Sequence, residues 1–183
     1  MLRVFIHFCI IAGAFADYVG NGSCPDVNAE KPLDLNRMSG LWIRYGEGDH
    51  YWDKAQKCGQ QYWSSPNNEG ISTIVSTSIS TKNNKMLEII GEVSLITNNR
   101  VSFNHHVPIL GSIRRECNYI GVDYDKYIVA WTCVNNGTTH TETPMIFTRE
   151  RNPTFDVLKV AGEVYARYGL KLSHVIRENQ DCI

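Results

Sequence analysis

The chain has no run of one charge sign. Its 18 lysines and arginines nearly balance 19 aspartates and glutamates, and charged residues make up only 20% of 183. A nucleic-acid binder needs a basic stripe, so this balance excludes that class of partner. There is no Cys-x-x-Cys and no histidine spacing suited to zinc, so no metal knuckle is expected. Gly-x-Ser-x-Gly, His-Glu-x-x-His and phosphate-loop patterns are missing too, which removes the common hydrolase and nucleotide-binding chemistries. No apolar run reaches the roughly 20 residues that span a bilayer. Internal repeats, low-complexity tracts and linkers are also lacking.

The longest apolar run is residues 4–14, preceded by Arg3 and followed by the small-x-small site Ala14-Phe15-Ala16. This pattern predicts a secretory signal over residues 1–16, leaving a single domain over 17–183, secreted and extracellular. Cys9 leaves with the signal. Five cysteines remain, Cys24, Cys58, Cys117, Cys133 and Cys182, enough for two long-range disulfides and one free thiol. Sequons at Asn21 and Asn136 fit the same compartment and are candidate glycosylation sites.

Hydrophobic residues make up 43% and 19 residues are aromatic, ample for a folded core and suggestive of β structure. Residues 71–80 alternate: Ile71, Thr73, Val75, Thr77 and Ile79 form the greasier face, against Ser72, Ile74, Ser76, Ser78 and Ser80. Lys82-Asn83-Asn84-Lys85 reads as a turn. Leu87, Ile89, Gly91, Val93 and Leu95 then alternate with Glu88 and Glu92. Further strands are expected near 100–106, 112–120, 124–134 and 138–149, the last two joined at Asn135-Asn136-Gly137. Such a train of strands closes into a barrel or sandwich, because each strand needs neighbours on both edges. One helix follows, with Val157, Leu158, Ala161, Val164, Tyr165 and Tyr168 on one stripe. Asn152-Pro153 is expected to open it and Gly169 to close it. A short strand is expected within 171–176.

Three marks occur in order: Ser39-Gly40-Leu41-Trp42 near the mature N-terminus, Val122-Asp123-Tyr124 before a strand ending in Cys133, and Arg149 ending the strand before the helix. Together they resemble the Gly-x-Trp, Thr-Asp-Tyr and arginine motifs of lipocalins. Cys24-Pro25-Asp26-Val27 and Lys57-Cys58-Gly59 resemble the insect bilin-binding branch of that family, close to apolipoprotein D. The resemblance covers the whole mature chain and implies an all-β fold: an eight-stranded antiparallel up-and-down barrel with one C-terminal helix outside. It implies bridges Cys24–Cys133 and Cys58–Cys182, with Cys117 free. It makes Gly40, Trp42, Asp123, Tyr124 and Arg149 structural, with Arg149 lying over Trp42 at the closed end. The chain departs from the family pattern where Ile43 and Arg44 follow the tryptophan in place of an aromatic and a glutamate, and where Val122 replaces threonine.

A barrel of this size holds one small ligand. The expected inward set is Thr73, Val75, Thr77 and Ile79 on one strand and Leu87, Ile89, Val93 and Leu95 on the next. By comparison with bilin-binding proteins, Ile128, Ala130, Thr132 and Val134 also face in, as do Thr141, Thr143, Met145 and Phe147, while Trp131 faces the helix. Near the mouth, Val75, Thr77, Ile79, Leu87, Ile89, Thr132, Thr143 and Met145 are candidate ligand contacts. His50, Tyr51 and Trp52 are expected to overhang the mouth as an aromatic lid. His105-His106 invites a metal reading, but adjacent strand residues point to opposite faces, and no metal is expected. The function implied is binding without turnover. The partner is a small hydrophobic ligand, with biliverdin the first candidate. A carotenoid, retinoid, fatty acid or bioactive amine is the alternative, and a thiol-dependent enzyme using Cys117 is the other.

Overall fold

In the computed structural model of the chain, residues 18–28, 32–48, 55–107 and 109–182 are described. The expected signal segment and the loop bearing His50, Tyr51 and Trp52 lie outside them. Ten strands and two helices run in the order β1 (Tyr18–Asn21), α1 (Leu35–Met38), β2 (Gly40–Glu47), β3 (Gln56–Trp63), β4 (Ser72–Ser80), β5 (Met86–Leu95), β6 (Arg100–Val107), β7 (Gly111–Asp123), β8 (Tyr127–Asn136), β9 (Thr139–Thr148), α2 (Val157–Arg167) and β10 (Ile176–Arg177). Strands β2 to β9 pair antiparallel with their neighbours in sequence, and β9 pairs back onto β2. The barrel is therefore closed and has eight strands, as the sequence implies. Closure removes the free edges that would otherwise template aggregation. β1 adds to β9 outside the barrel and β10 adds to β2; the short strand expected within 171–176 falls at Ile176–Arg177, and β1, at four residues, is too short for periodicity to reveal.

Two apolar layers share the wall. The inner one joins Trp42, Trp63, Ile74, Val93, Phe103, Cys117, Tyr119, Ile128, Ala130 and Phe147 with Leu35 and Met38 of α1, which stop one end. The outer one lies under α2, where Val157, Ala161, Val164 and Tyr165 pack on Ile120, Val129, Trp131 and Ile146. Trp131 faces the helix as expected, and its indole donates to Glu142 Oε2 at 2.8 Å. The Tyr165 hydroxyl donates to the Ala130 carbonyl. Helix α2 starts later than Asn152-Pro153: Asp156 is the cap, accepting from the Lys159 amide at 3.0 Å, because a carboxylate oxygen satisfies the orphan amides of the first turn. Leu158 stays 42% exposed and leaves the expected stripe. Gly169 ends the helix at φ +67°, a conformation that glycine adopts freely.

The largest departure from expectation is β4. Its register on β5 pairs Ile74 with Gly91 and Ser76 with Ile89, and Ile74 is fully buried in the inner layer while Thr73 is exposed. Ser72, Ile74, Ser76 and Ser78 thus face in, and Val75, Thr77 and Ile79 face out. Alternation was read correctly but its polarity was not. A strand lining a cavity carries small residues inward, and its β-branched residues serve the outer pleat. Outside, Val75 pairs with Tyr62 and Ile90.

Candidate ligand-binding site

At the closed end, the Arg149 guanidinium carbon lies 3.6 Å from the Trp42 ring centroid. Arg149 also donates to the carbonyls of Tyr124, Leu41, Arg37 and Ser39. The Trp42 indole donates to the Met38 carbonyl at 2.8 Å, and the Tyr124 hydroxyl accepts from the Asp34 amide. Asp123 Oδ1 accepts from the Asp125 amide in the turn to β8. Gly40, at φ +98°, lets the chain pass beneath the guanidinium. These five residues form the plug of the barrel.

Above the plug lies an aromatic floor. The Trp63 ring meets Phe103 and Tyr119 edge-on at centroid distances of 5.8 and 6.1 Å, and Phe103 stacks on His105 at 5.6 Å with 8° between planes. None of the four was singled out as a ligand contact from sequence. Phe103 pairs with Val93 and Tyr119 with Ala130, both expected inside, whereas Trp63 pairs with Ile74, expected outside, so no local pattern in the sequence marks the set.

Toward the mouth the wall changes character. Ser76 and Ser78 from β4, Gly91 from β5, and Thr132 and Thr143, which pair across β8 and β9, present small groups inward. Ile89 pairs with Ser76 and Leu87 with Ser78, so both sit on the luminal face; Leu87 is 40% exposed. Met145 packs against the inner layer, opposite Ala130. Of the candidate contacts, Leu87, Ile89, Thr132, Thr143 and Met145 share the lumen, and Val75, Thr77 and Ile79 do not.

Two further features shape the open half. Arg44 and Glu47 face the lumen by their pairing with Phe147 and Met145, and they form an ion pair at 3.1 Å. Arg44 also bonds Glu178 through Nε and through Nη2 at 3.1 Å. Glu178 belongs to a C-terminal strap that bridges β2 and β3, its amide donating to Tyr45 and the Cys58 amide to Asn179, each at 2.9 Å. The Arg44 guanidinium stands 2.6 Å from where a Cβ on Gly59 would be, so any side chain there would have to displace it. Disulfides Cys24–Cys133 and Cys58–Cys182 tie the N-terminal segment and the strap to the barrel. Asn21 and Asn136 are exposed and flank Thr139 in the sheet.

Cys117 is the free thiol, buried in the inner layer. Burial pushes its pKa up to about 12. At neutral pH it is a protonated thiol with little nucleophilic character. His105 points into the lumen and His106 out, where its ring meets the Ser112 hydroxyl at 3.0 Å. Among the described residues no group of three His, Cys, Asp or Glu side chains is placed to hold a metal ion. No helix among them is long and apolar enough to cross a membrane.

No protein-family model matches the chain. A curated relative, the bilin-binding protein of Pieris brassicae, is 24% identical over 134 residues, which is 72% of this chain and 69% of that one. Among solved structures, insecticyanin from the tobacco hornworm Manduca sexta superposes with TM-score 0.76 at 14% identity, covering 89% of each chain. Lobster apocrustacyanin A1 gives 0.73 at 18% identity, covering 88% of this chain and 91% of that one. The amine-binding protein of Rhodnius prolixus, solved with tryptamine, gives 0.60 at 18% identity, covering 85% and 86%.

Proposed function

The chain is a lipocalin by fold, and from that premise we propose that it is an extracellular carrier that encloses one small hydrophobic ligand, a linear tetrapyrrole such as biliverdin being the first candidate. One observation carries the reading. An aromatic floor made by Trp63, Phe103 and Tyr119 lies beneath a wall whose inward groups on β4, β8 and β9 are mostly hydroxyls of serine and threonine. A protein that only needed a core would fill that wall with branched side chains. Flat rings below and small polar groups above suit a long conjugated guest with hydrogen-bonding edges. Burial of its apolar surface supplies the driving force, about 25 cal/mol per Å². The resemblance to the Pieris bilin-binding protein supports the tetrapyrrole over other lipophiles. The buried, protonated state of Cys117 supports binding over thiol chemistry.

Mature protein secreted from eukaryotic cells should bind biliverdin one to one, with a red-shifted, sharpened visible band and quenched tryptophan emission. Native mass spectrometry of the same material reads out stoichiometry and glycan mass at Asn21 and Asn136. A chain that leaves biliverdin absorbance unchanged at micromolar concentration rejects the tetrapyrrole. A chain that also fails with carotenoid, retinoid, fatty acid and amine probes rejects the carrier.

A further inference from the structure

The luminal wall is electrically uneven. Across the inward positions of β3 to β9, the described residues carry one permanently charged side chain, Arg115, which shares the face of Phe103 and Cys117 through the β6–β7 register. The acids of this region, Glu88, Glu92 and Glu116, sit on the opposite, outward face of their strands. Glu116 is engaged there by Arg100 and Arg114, and Arg115 has no ion pair among the described residues. The other luminal charges, Arg44 and Glu47, are on β2 and are tied to each other, Arg44 also to Glu178.

Diagonal to Arg115 is His105, whose partner is Ile113. His105 Nδ1 is buried with no hydrogen-bond partner. It overlooks Gly91, where a Cβ would come within 3.1 Å of that nitrogen and 2.9 Å of the Asn104 carbonyl. The missing side chain leaves a notch in front of the orphan nitrogen. On the next strand, the Ser76 hydroxyl is also buried without a partner. Buried polar atoms left unsatisfied cost free energy unless a ligand or water meets them. His105 has the Arg115 guanidinium on its diagonal across the β6–β7 pair, while Ser76 lies further along the luminal wall, on β4. Burial first, and then the neighbouring Arg115 and His106, hold the His105 pKa below its ordinary value.

We propose that Gly91, His105 and Arg115 form a seat for the ionised carboxylate of the bound amphiphile, with its apolar body lying over Trp63 and Phe103. Arg115 supplies the charge, in a forked geometry matched to a carboxylate. The imidazole N–H donates to a remaining lone pair. The seat rests on the carrier reading and narrows it: the ligand is a lipophilic acid, and its neutral ester or alcohol binds less well.

The test uses the full chain and two matched probe pairs, biliverdin with its dimethyl ester and retinoic acid with retinol, each titrated by tryptophan quenching. At least one acid should bind wild type about tenfold or more tightly than its neutral partner, the scale of a charge-assisted contact. Arg115→Gln should abolish that preference and change the neutral probe's affinity less than twofold. Arg115→Lys should keep part of it. Both variants alter an exposed side chain and should melt as wild type does. His105→Gln provides a second variant, and the His105 ring resonance in wild type should titrate at higher pH with the acid bound but not with the neutral probe. Equal binding of acid and neutral probes by wild type, or equal weakening of both by Arg115→Gln, overturns the seat and leaves the carrier reading standing. If wild type binds none of the four probes, both fall together.

Discussion

Arg149 lies over Trp42 at 3.6 Å and, from the same position, satisfies four backbone carbonyls of the segments that close the barrel. The stack is worth about 0.5–2 kcal/mol, but the carbonyls matter as much, because truncation leaves them short of donors in a partly buried place. Arg149→Ala should therefore lower unfolding stability by about 2–4 kcal/mol, read by urea denaturation. Ligand affinity should change little, since the plug lies below the aromatic floor. A large loss of affinity at unchanged stability would move Arg149 into the site.

The polarity of β4 is directly testable. Ser76→Leu puts bulk into the lumen and should weaken ligand binding by roughly tenfold or more, the scale of a well-placed steric or hot-spot change. Thr77→Leu alters the outer face and should leave affinity unchanged. Titration of both variants with biliverdin checks this, and the opposite ordering would restore the odd-numbered face to the lumen.

Cys117 should be silent to a thiol reagent at pH 8 in the native protein and react with one equivalent in denaturant. Its folded pKa, about 12, lies above the ordinary value of 9.0, so above pH 9 the unfolded chain releases a proton that the folded chain keeps. Stability is full below pH 9 and falls as pH rises toward 12, by about 1.4 kcal/mol per unit for one such group. Burial raises Tyr119 and Tyr165 in the same direction and steepens the fall above pH 10. Cys117→Ala should flatten the first part of that slope in a pH series of thermal melts.

The strap should behave as a unit. Glu178 receives the Arg44 guanidinium and the Gly59 amide, so Glu178→Ala leaves a half-buried cation and a bare amide and should cost about 2–4 kcal/mol. Loss of the Cys58–Cys182 bridge, which closes 124 residues, should cost about 4–5 kcal/mol in the chain-entropy description. Hydrogen exchange should rise at Cys58 and Glu178 in either variant before it rises in β7 and β8.

How much of this was legible in the sequence differs from residue to residue. Alternation located the long barrel strands, because period two is a property of the local backbone and leaves its mark in any half-buried strand. The plug was legible only through the resemblance carried by the order of the Gly-x-Trp, Asp-Tyr and arginine marks, and Arg149 lies over Trp42 as that resemblance implies. The inward faces of β8 and β9 came from the comparison with bilin-binding proteins, and in the structure Thr132 pairs with Thr143 on the luminal side while Trp131 packs under the helix. What the sequence could not decide was which face of β4 turned inward: Val75 and Thr77 look greasier than Ser76, and only pairing with β5 fixes the polarity. Nor did it disclose that Arg44 would be met by Glu178 from the far end of the chain. The orphan nitrogen of His105 above Gly91 is likewise a product of register. Each of these depends on which strands become neighbours, a contact between residues distant in the chain, and no local pattern encodes it.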